Sequence, residues 1–469
     1  MDGQAATAAR VAGSYRDRRG YVFTSGDRIL RGVSSAAAEV QREFLGSPVF
    51  ARLVSSGRLI GTWIAPDDPS ALGIEGAALL LEHERVPFVS YPYEWPFAAL
   101  REAALLQLDL HLALLEHGFG LADASAYNIQ FRGPEPVFID VLSVERYEPG
   151  AYWAGHRQFC DQFLGPLLLT ARLGVPYNAA YRGRIEGLSS TELVRLLRLR
   201  DKLRPETLLH IVLPARLEAA ARRGRVDARP AASRRPLPKT ALCSLLSGLR
   251  RWTGRLRPPS LRTDWTAYAA DNTYQEAERS AKREIVERAI RAAAPRAVLD
   301  LGCNTGDYAA VALEAGAGHV VGAEADPPTA HLAFLRARKE KLRFLPIVLD
   351  GANPSPAQGW RGLERASFAE RARFDFLVAL AVEHHLAIGR NIPLDELVRW
   401  MVGLAPQGVV EFVQKSDSTV RRMLALREDI FADYTEENFR QLLAANARIV
   451  ESRAVSAGGR VIFVYDRRP

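Results

Sequence analysis

From residue 297 onward the chain alternates short apolar runs with amphipathic stretches of helical period. The runs are "AVLDLG" (297–302), "HVVGAEAD" (319–326), "RFLPIVLD" (343–350), "FDFLVALA" (374–381) and "GVVEFVQ" (408–414). Helices are predicted over Tyr308–Ala315, Thr329–Lys341 and "LDELVRWMVGLA" (394–405), near Val420 and near Glu436, with a further one over Tyr274–Ala294. "ARIVESRAV" and "RVIFVYDRR" close the chain as an antiparallel pair. Strand-length apolar runs separated by helices bury both faces as an open, mostly parallel sheet covered on each side. The expected class is α/β, with a seven-stranded Rossmann-like sheet. Ligands of such sheets sit outside the carboxyl ends of the strands, near the point where strand order reverses.

Acids and glycines gather where that rule asks. In "DLGCNTG" (300–306), Gly302 and Gly306 let the backbone turn sharply and approach a ligand closely. A pyrophosphate-binding loop would carry GxGxxG, whereas here the spacing is GxxxG without a basic residue, which suits a ligand lacking phosphates. Glu324, 18 residues after Gly306, ends the second run where a carboxylate can hold both hydroxyls of a ribose, with Asp326 able to share or replace it. Asp350 ends the third run and is placed to accept from an adenine amino group.

With these residues in those places, the half from 264 to 469 resembles a class I S-adenosylmethionine-dependent methyltransferase. The other reading of the loop is a nicotinamide-binding Rossmann domain. The resemblance implies that Asp300, Gly302, Asn304 and Gly306 line the methionine end of the cofactor, Glu324 and Asp326 the ribose and Asp350 the adenine. It also implies that the end of the fourth strand, "LAVEHHLAIGRNIP", borders the methyl group, making Glu383, His384 and His385 candidate catalytic groups. An imidazole with an ordinary pKa of about 6.5 can take a proton from a nucleophile at neutral pH. Adjacent histidines on a strand face opposite ways, which argues against a shared metal. The asparagine–proline–proline–aromatic signature of amino-methylating enzymes is absent, which argues against a DNA-base or glutamine acceptor. "HHLAIGRNIPLDELV", "VVEFVQKSD" and "DIFADYTEENF" further resemble methyltransferases related to the NoeA host-specificity nodulation protein. That resemblance implies a small-molecule or glycan-type acceptor.

The half from 14 to 221 follows a different order. "GYVFTSGDRILRGVS" suggests a hairpin, "AAAEVQREFLGSPVFARLVSSG" a helix, and Phe97–His117 a long helix, with mostly helical chain after it. A small sheet followed by helices is a two-lobed, kinase-like α+β order. "DASAYN" and "FID" resemble the catalytic and metal-binding loops of aminoglycoside-phosphotransferase-like kinases. By that resemblance Asp123 is the base, and Asn128 and Asp140 hold magnesium. The departures are that no lysine precedes Lys202, Leu121 and Ser125 stand where those families carry histidines, and no glycine-rich loop is evident. The expectation is a degenerate kinase-like module that binds Mg–ATP weakly at most and serves recognition or support. The alternative is a phosphotransferase whose C-terminal half senses S-adenosylmethionine.

Charge separates the two halves. The chain of 469 residues carries a formal +8, but residues 222–262 hold twelve Arg or Lys against Asp227 alone, a net +11, so the remainder is at −3. The basicity belongs to a proline-containing linker, 222–263, which argues against nucleic acid as a partner. Within it Leu242, Leu245, Leu246, Leu249 and Trp252 share a helical face. That stripe either docks on its own protein or, as the minor reading, lets 240–257 lie on a membrane. The three cysteines, Cys160, Cys243 and Cys303, form no ligand or disulfide pattern. No signal-peptide core and no apolar run of spanning length is present, so a cytoplasmic enzyme is expected.

Overall fold

The computed structural model describes residues 7–223, 236–259, 276–425, 427–456 and 458–468. Much of the expected linker, 224–235 and 260–263, lies outside the described residues, as does the start of the expected C-terminal half.

The N-terminal hairpin forms as the sequence suggests. β1 (Ala9–Arg10), β2 (Gly20–Ser25), β3 (Arg28–Val33), β4 (Thr62–Ile64) and β5 (Leu79–His83) make an antiparallel sheet of order β1-β2-β3-β5-β4. The single helix expected over "AAAEVQREFLGSPVFARLVSSG" is two, Ser35–Leu45 and Pro48–Ser55. Pro48 has no N–H to continue the first helix, and Ser47 instead caps the second by accepting from Phe50 N at 3.3 Å. The long helix runs Phe97–Glu116. Chain expected to be helical beyond it begins with two small antiparallel pairs, β6 (Phe119–Leu121) with β9 (Val144–Arg146), and β7 (Ile129–Arg132) with β8 (Glu135–Phe138).

The C-terminal sheet has seven strands: β10 (Ala297–Leu301), β11 (His319–Glu324), β12 (Phe344–Val348), β13 (Phe376–Ala379), β14 (Gln407–Val413), β15 (Arg448–Ser456) and β16 (Arg460–Asp466). Their order is β12-β11-β10-β13-β14-β16-β15, parallel except at β16, which is antiparallel to both its neighbours. The order reverses at β10, whose sequence neighbour β11 lies on one side and β13 on the other, and this opens a crevice at its carboxyl end.

One hydrophobic core runs through both halves. Phe131 meets Phe334 edge-on at 5.8 Å, and Phe88 stacks on Phe374 at 5.7 Å. Ala98 N donates to His331 Nδ1 at 3.1 Å. Arg371 and Glu94, both nearly solvent-free, pair at 2.5 Å. The linker helix Lys239–Arg255 packs on Phe97–Glu116, burying Leu242, Leu246, Leu249 and Trp252. The apolar stripe of 240–257 is therefore taken up by the protein itself. No described helix is long and apolar enough to cross a membrane.

Candidate functional site

A cavity of about 660 Å³ opens over the carboxyl ends of β10, β11 and β12. Its shape begins with the turn after β10. Gly302 sits at φ +71° and Gly306 at φ +86°, a region costly for any residue with a Cβ. Gly302 N and Cys303 N donate to Ala323 O at 2.8 and 3.2 Å, which ties the loop to β11. A Cβ on Gly302 would come within 2.4 Å of Val382 Cγ2, and one on Gly306 within 2.4 Å of Phe344 Cε1. Gly302 lines the cavity and its missing Cβ also leaves room for Val382, while the missing Cβ of Gly306 leaves room for Phe344. Gly306 N-caps the Asp307–Glu314 helix and does not line the cavity.

Three of the expected acids do line it. Asp300 is buried, and its Oδ2 has no hydrogen-bond partner among the described residues. Burial, reinforced by Asp307 and Glu324, pushes its pKa up to about 8. Glu324 Oε1 accepts from Asp326 N at 2.8 Å and Oε2 from Asn304 N at 3.0 Å, which fixes the plane of the carboxylate at the cavity wall. Burial pushes its pKa up to about 6. Asp350 Oδ1 accepts from Ala352 N at 2.9 Å, and its Oδ2 accepts from Arg390 Nη2 at 3.1 Å. Asn304, at φ +48°, also lines the cavity. Asp326 does not. Its carboxylate caps the Pro327–Glu340 helix through Thr329 N at 3.0 Å, so its expected place at the ribose is not where the side chain goes.

The fourth strand ends earlier than its sequence suggests. β13 stops at Ala379, Ala381 turns the chain at φ +52°, and Glu383, His384 and His385 open the Glu383–Arg390 helix instead of extending a strand. Only His385 of the three lines the cavity. Burial, then His384 and Arg460, push its pKa down to about 3, far from the ordinary value on which a general base at neutral pH relies. His384 is buried beside it, with ring centroids 4.0 Å apart. Glu383 faces inward, its Oε1 accepting from Val413 N at 2.6 Å and from the Tyr434 hydroxyl at 3.0 Å. It anchors the end of β14.

Among the lining residues that the sequence did not single out, two pair with each other. Lys282 Nζ lies 2.6 Å from Glu411 Oε1, and both side chains are almost wholly buried. The pair holds the Glu276–Ala293 helix against β14 as one wall of the cavity. A signal existed. Lys282 shares the helical face of Ile285, Val286 and Ile290, and Glu411 is the one charge inside "GVVEFV".

The constellation in the other half is also brought together, but it closes on itself. Asn128 Nδ2 donates to Asp123 Oδ1 and Oδ2 at 3.1 and 3.2 Å and to Ser143 Oγ at 3.1 Å. Ser143 Oγ lies 2.8 Å from Asp123 Oδ1 and 2.7 Å from Asp140 Oδ2. Arg31, on β3, pairs with Asp140 at 2.5 Å. Burial and Asp140 raise the pKa of Asp123. In Asp140 burial pulls upward but is outweighed by Arg31 and Ser143, which hold the carboxyl below its ordinary value. Arg28, the other cation on that strand, is taken up by Asp67 and Glu82. No group of three or more His, Cys, Asp or Glu able to hold a metal is found among the described residues.

A family model described as a methyltransferase domain matches residues 274–446. The chain is 44% identical to nodulation protein NoeA of Rhizobium meliloti (strain 1021) over 461 residues, covering 98% of this chain and 96% of that one. Among solved structures, N-methyltransferase NodS of Bradyrhizobium japonicum WM9 overlaps 41% of this chain and 97% of its own at 16% identity and a TM-score of 0.31. Magnesium protoporphyrin IX methyltransferase of Synechocystis PCC 6803 overlaps 44% and 93% at 17% identity and a TM-score of 0.31. WbdD overlaps 43% of this chain and 42% of its own at 16% identity and a TM-score of 0.30. Superpositions that loose carry no information about chemistry.

Proposed function

Because the chain belongs to the family of nodulation protein NoeA and carries a methyltransferase domain, we propose that it moves a methyl group from S-adenosylmethionine to a small-molecule or glycan-type acceptor. The observation that carries this reading is Asp300 Oδ2, a buried acceptor without a partner among the described residues, in the wall of a 660 Å³ cavity. A buried carboxylate oxygen lacking a donor is costly, and a bound ammonium removes that cost. The amino group of the cofactor's methionine end is such a donor.

When bound, S-adenosylmethionine supplies a methyl group on a sulfonium, already activated for in-line transfer. Asp300 would hold the methionine ammonium, Glu324 the two ribose hydroxyls and Asp350 the adenine amino group. The Asn304 and Asp326 amides keep the Glu324 carboxylate turned to accept from both hydroxyls. His385, neutral at working pH, orients the acceptor by hydrogen bonding rather than by taking up a full charge. The rate then comes mainly from alignment. The N-terminal half supports this wall of the protein or recognises the acceptor. The phosphotransferase alternative has no observation in its favour, because Arg31 already compensates the carboxylate assigned to magnesium.

Isothermal calorimetry with S-adenosylmethionine and its demethylated product tests the cofactor assignment. Binding by the wild type and its weakening in Asp300→Asn are expected, and a wild type that binds neither would remove the proposal. Comparing metabolites with and without the gene would identify the acceptor.

A further inference from the structure

Between residues 196 and 217 six leucines stand out in solvent: Leu196, Leu199, Leu203, Leu209, Leu213 and Leu217 are 42% to 72% exposed. Leu209, Leu213 and Leu217 recur every fourth residue through Leu208–Val212 and the helix Leu213–Arg222 that continues it. The Ser190–Leu196 helix, which ends on Leu196, packs against both. Six exposed leucines within one stretch of 22 residues exceed the scattered apolar exposure that any surface shows.

The charges around it have one dominant sign. Residues 195–223 hold eight Arg or Lys and three acids, a net +5. All three acids are already engaged: Asp201 with Arg204, Glu206 with Arg255, and Glu218 with Arg157 and Arg222. Arg195, Arg198 and Arg216 are exposed and make no ion pair among the described residues. Leucine tips interleaved with uncommitted guanidinium groups match a surface that offers phosphate groups above an apolar layer. A second copy of the chain is the poorer occupant, since a self-facing contact would set +5 against +5. Nucleic acid would satisfy the arginines and leave the leucines in water.

We propose that this patch seats the protein on an anionic lipid bilayer, with the leucines entering the headgroup boundary and the arginines lying among lipid phosphates. The contact is peripheral, and the stripe at 242–252 has no part in it because it is buried. It also lies on chain remote in sequence from every residue of the methyltransferase cavity.

The test is cosedimentation of the full chain with vesicles of phosphatidylcholine alone and with vesicles of equal parts phosphatidylcholine and phosphatidylglycerol. The wild type is expected to pellet only with the second, and to be released by added salt. Replacing Leu199, Leu209, Leu213 and Leu217 together by serine should lower the partition about tenfold or more. Replacing Arg195, Arg198 and Arg216 by glutamine should lower it comparably and remove most of the salt dependence. The arginine variant keeps the test valid if the serine variant fails to melt like the wild type. A wild type that stays in the supernatant with both vesicles overturns the proposal, as does a folded serine variant that binds unchanged. A dimer in sedimentation velocity that the serine substitutions dissociate would assign the patch to a second copy instead.

Discussion

Each half of the molecule gathers carboxylates at the ends of strands, and the two groups differ in what their oxygens face. In the N-terminal half Asp123 and Asp140 are surrounded by Asn128, Ser143 and Arg31, all from the same chain. In the C-terminal half Asp300 keeps an oxygen without a donor among the described residues, and Glu324 is held at the cavity wall by two backbone amides. A satisfied cluster stabilises a fold, whereas an unsatisfied one stores a cost that a ligand can relieve. The contrast is between carboxylates satisfied within the chain and carboxylates left facing a cavity.

Arg31→Ala should have the largest effect. It strands Asp140 beside Asp123 in a poorly solvated place and should cost about 3–5 kcal/mol of stability by chemical denaturation. Adding Asp140→Ala should recover most of that loss. A single variant as stable as the wild type would mean that the cluster is open to solvent.

Asp300→Asn should do the opposite. It leaves the empty protein at least as stable, yet raises the Kd for S-adenosylmethionine roughly ten- to a hundredfold, the usual worth of a charged hydrogen bond. Calorimetry and thermal melts on one preparation would separate the two effects.

The pH dependence sharpens the same point. With Asp300 raised from 3.8 to about 8, the folded chain keeps a proton that the unfolded chain has released, so this residue makes stability fall as pH rises from about 4 to about 8. Asp300→Asn should flatten that slope in a series of melts.

Glu324 must be ionised to accept from two hydroxyls. Cofactor affinity should therefore weaken as pH drops through about 6, and Glu324→Gln should bind severalfold more weakly with that dependence gone. The smallest effect is expected for Asp123→Asn, with methyl transfer within about twofold of wild type. Magnesium should leave the melting temperature of the wild type unchanged. A magnesium-dependent shift abolished by Asp123→Asn would place the first cluster alongside the second.

The acids at strand ends were legible because apolar runs fix where each strand stops and the parallel topology fixes what lies there. Asp300, Glu324 and Asp350 follow from that rule alone. Short apolar runs do not distinguish strand from helix at their ends, so "FDFLVALA" reads as strand through Ala381, where the backbone has already turned and Glu383 starts a helix. That error displaced two of the three proposed catalytic groups. Asp326 was misplaced because an acid three residues before Thr329, at a helix start, serves the backbone first. Lys282 and Glu411 are 129 residues apart in sequence. Each was conspicuous as a lone charge on an apolar face, but only the folded sheet shows that they pair.

The core common to both halves bears on how such a chain is inherited. Glu94 with Arg371, Phe88 with Phe374 and Phe131 with Phe334 are contacts whose members lie on opposite sides of the basic linker. Recombination within that linker would give each half a neighbour with other side chains at the seam, leaving an arginine without its glutamate and rings without their partners. Exchange there is penalised at every such position at once, so descent favours chains in which the halves travel together.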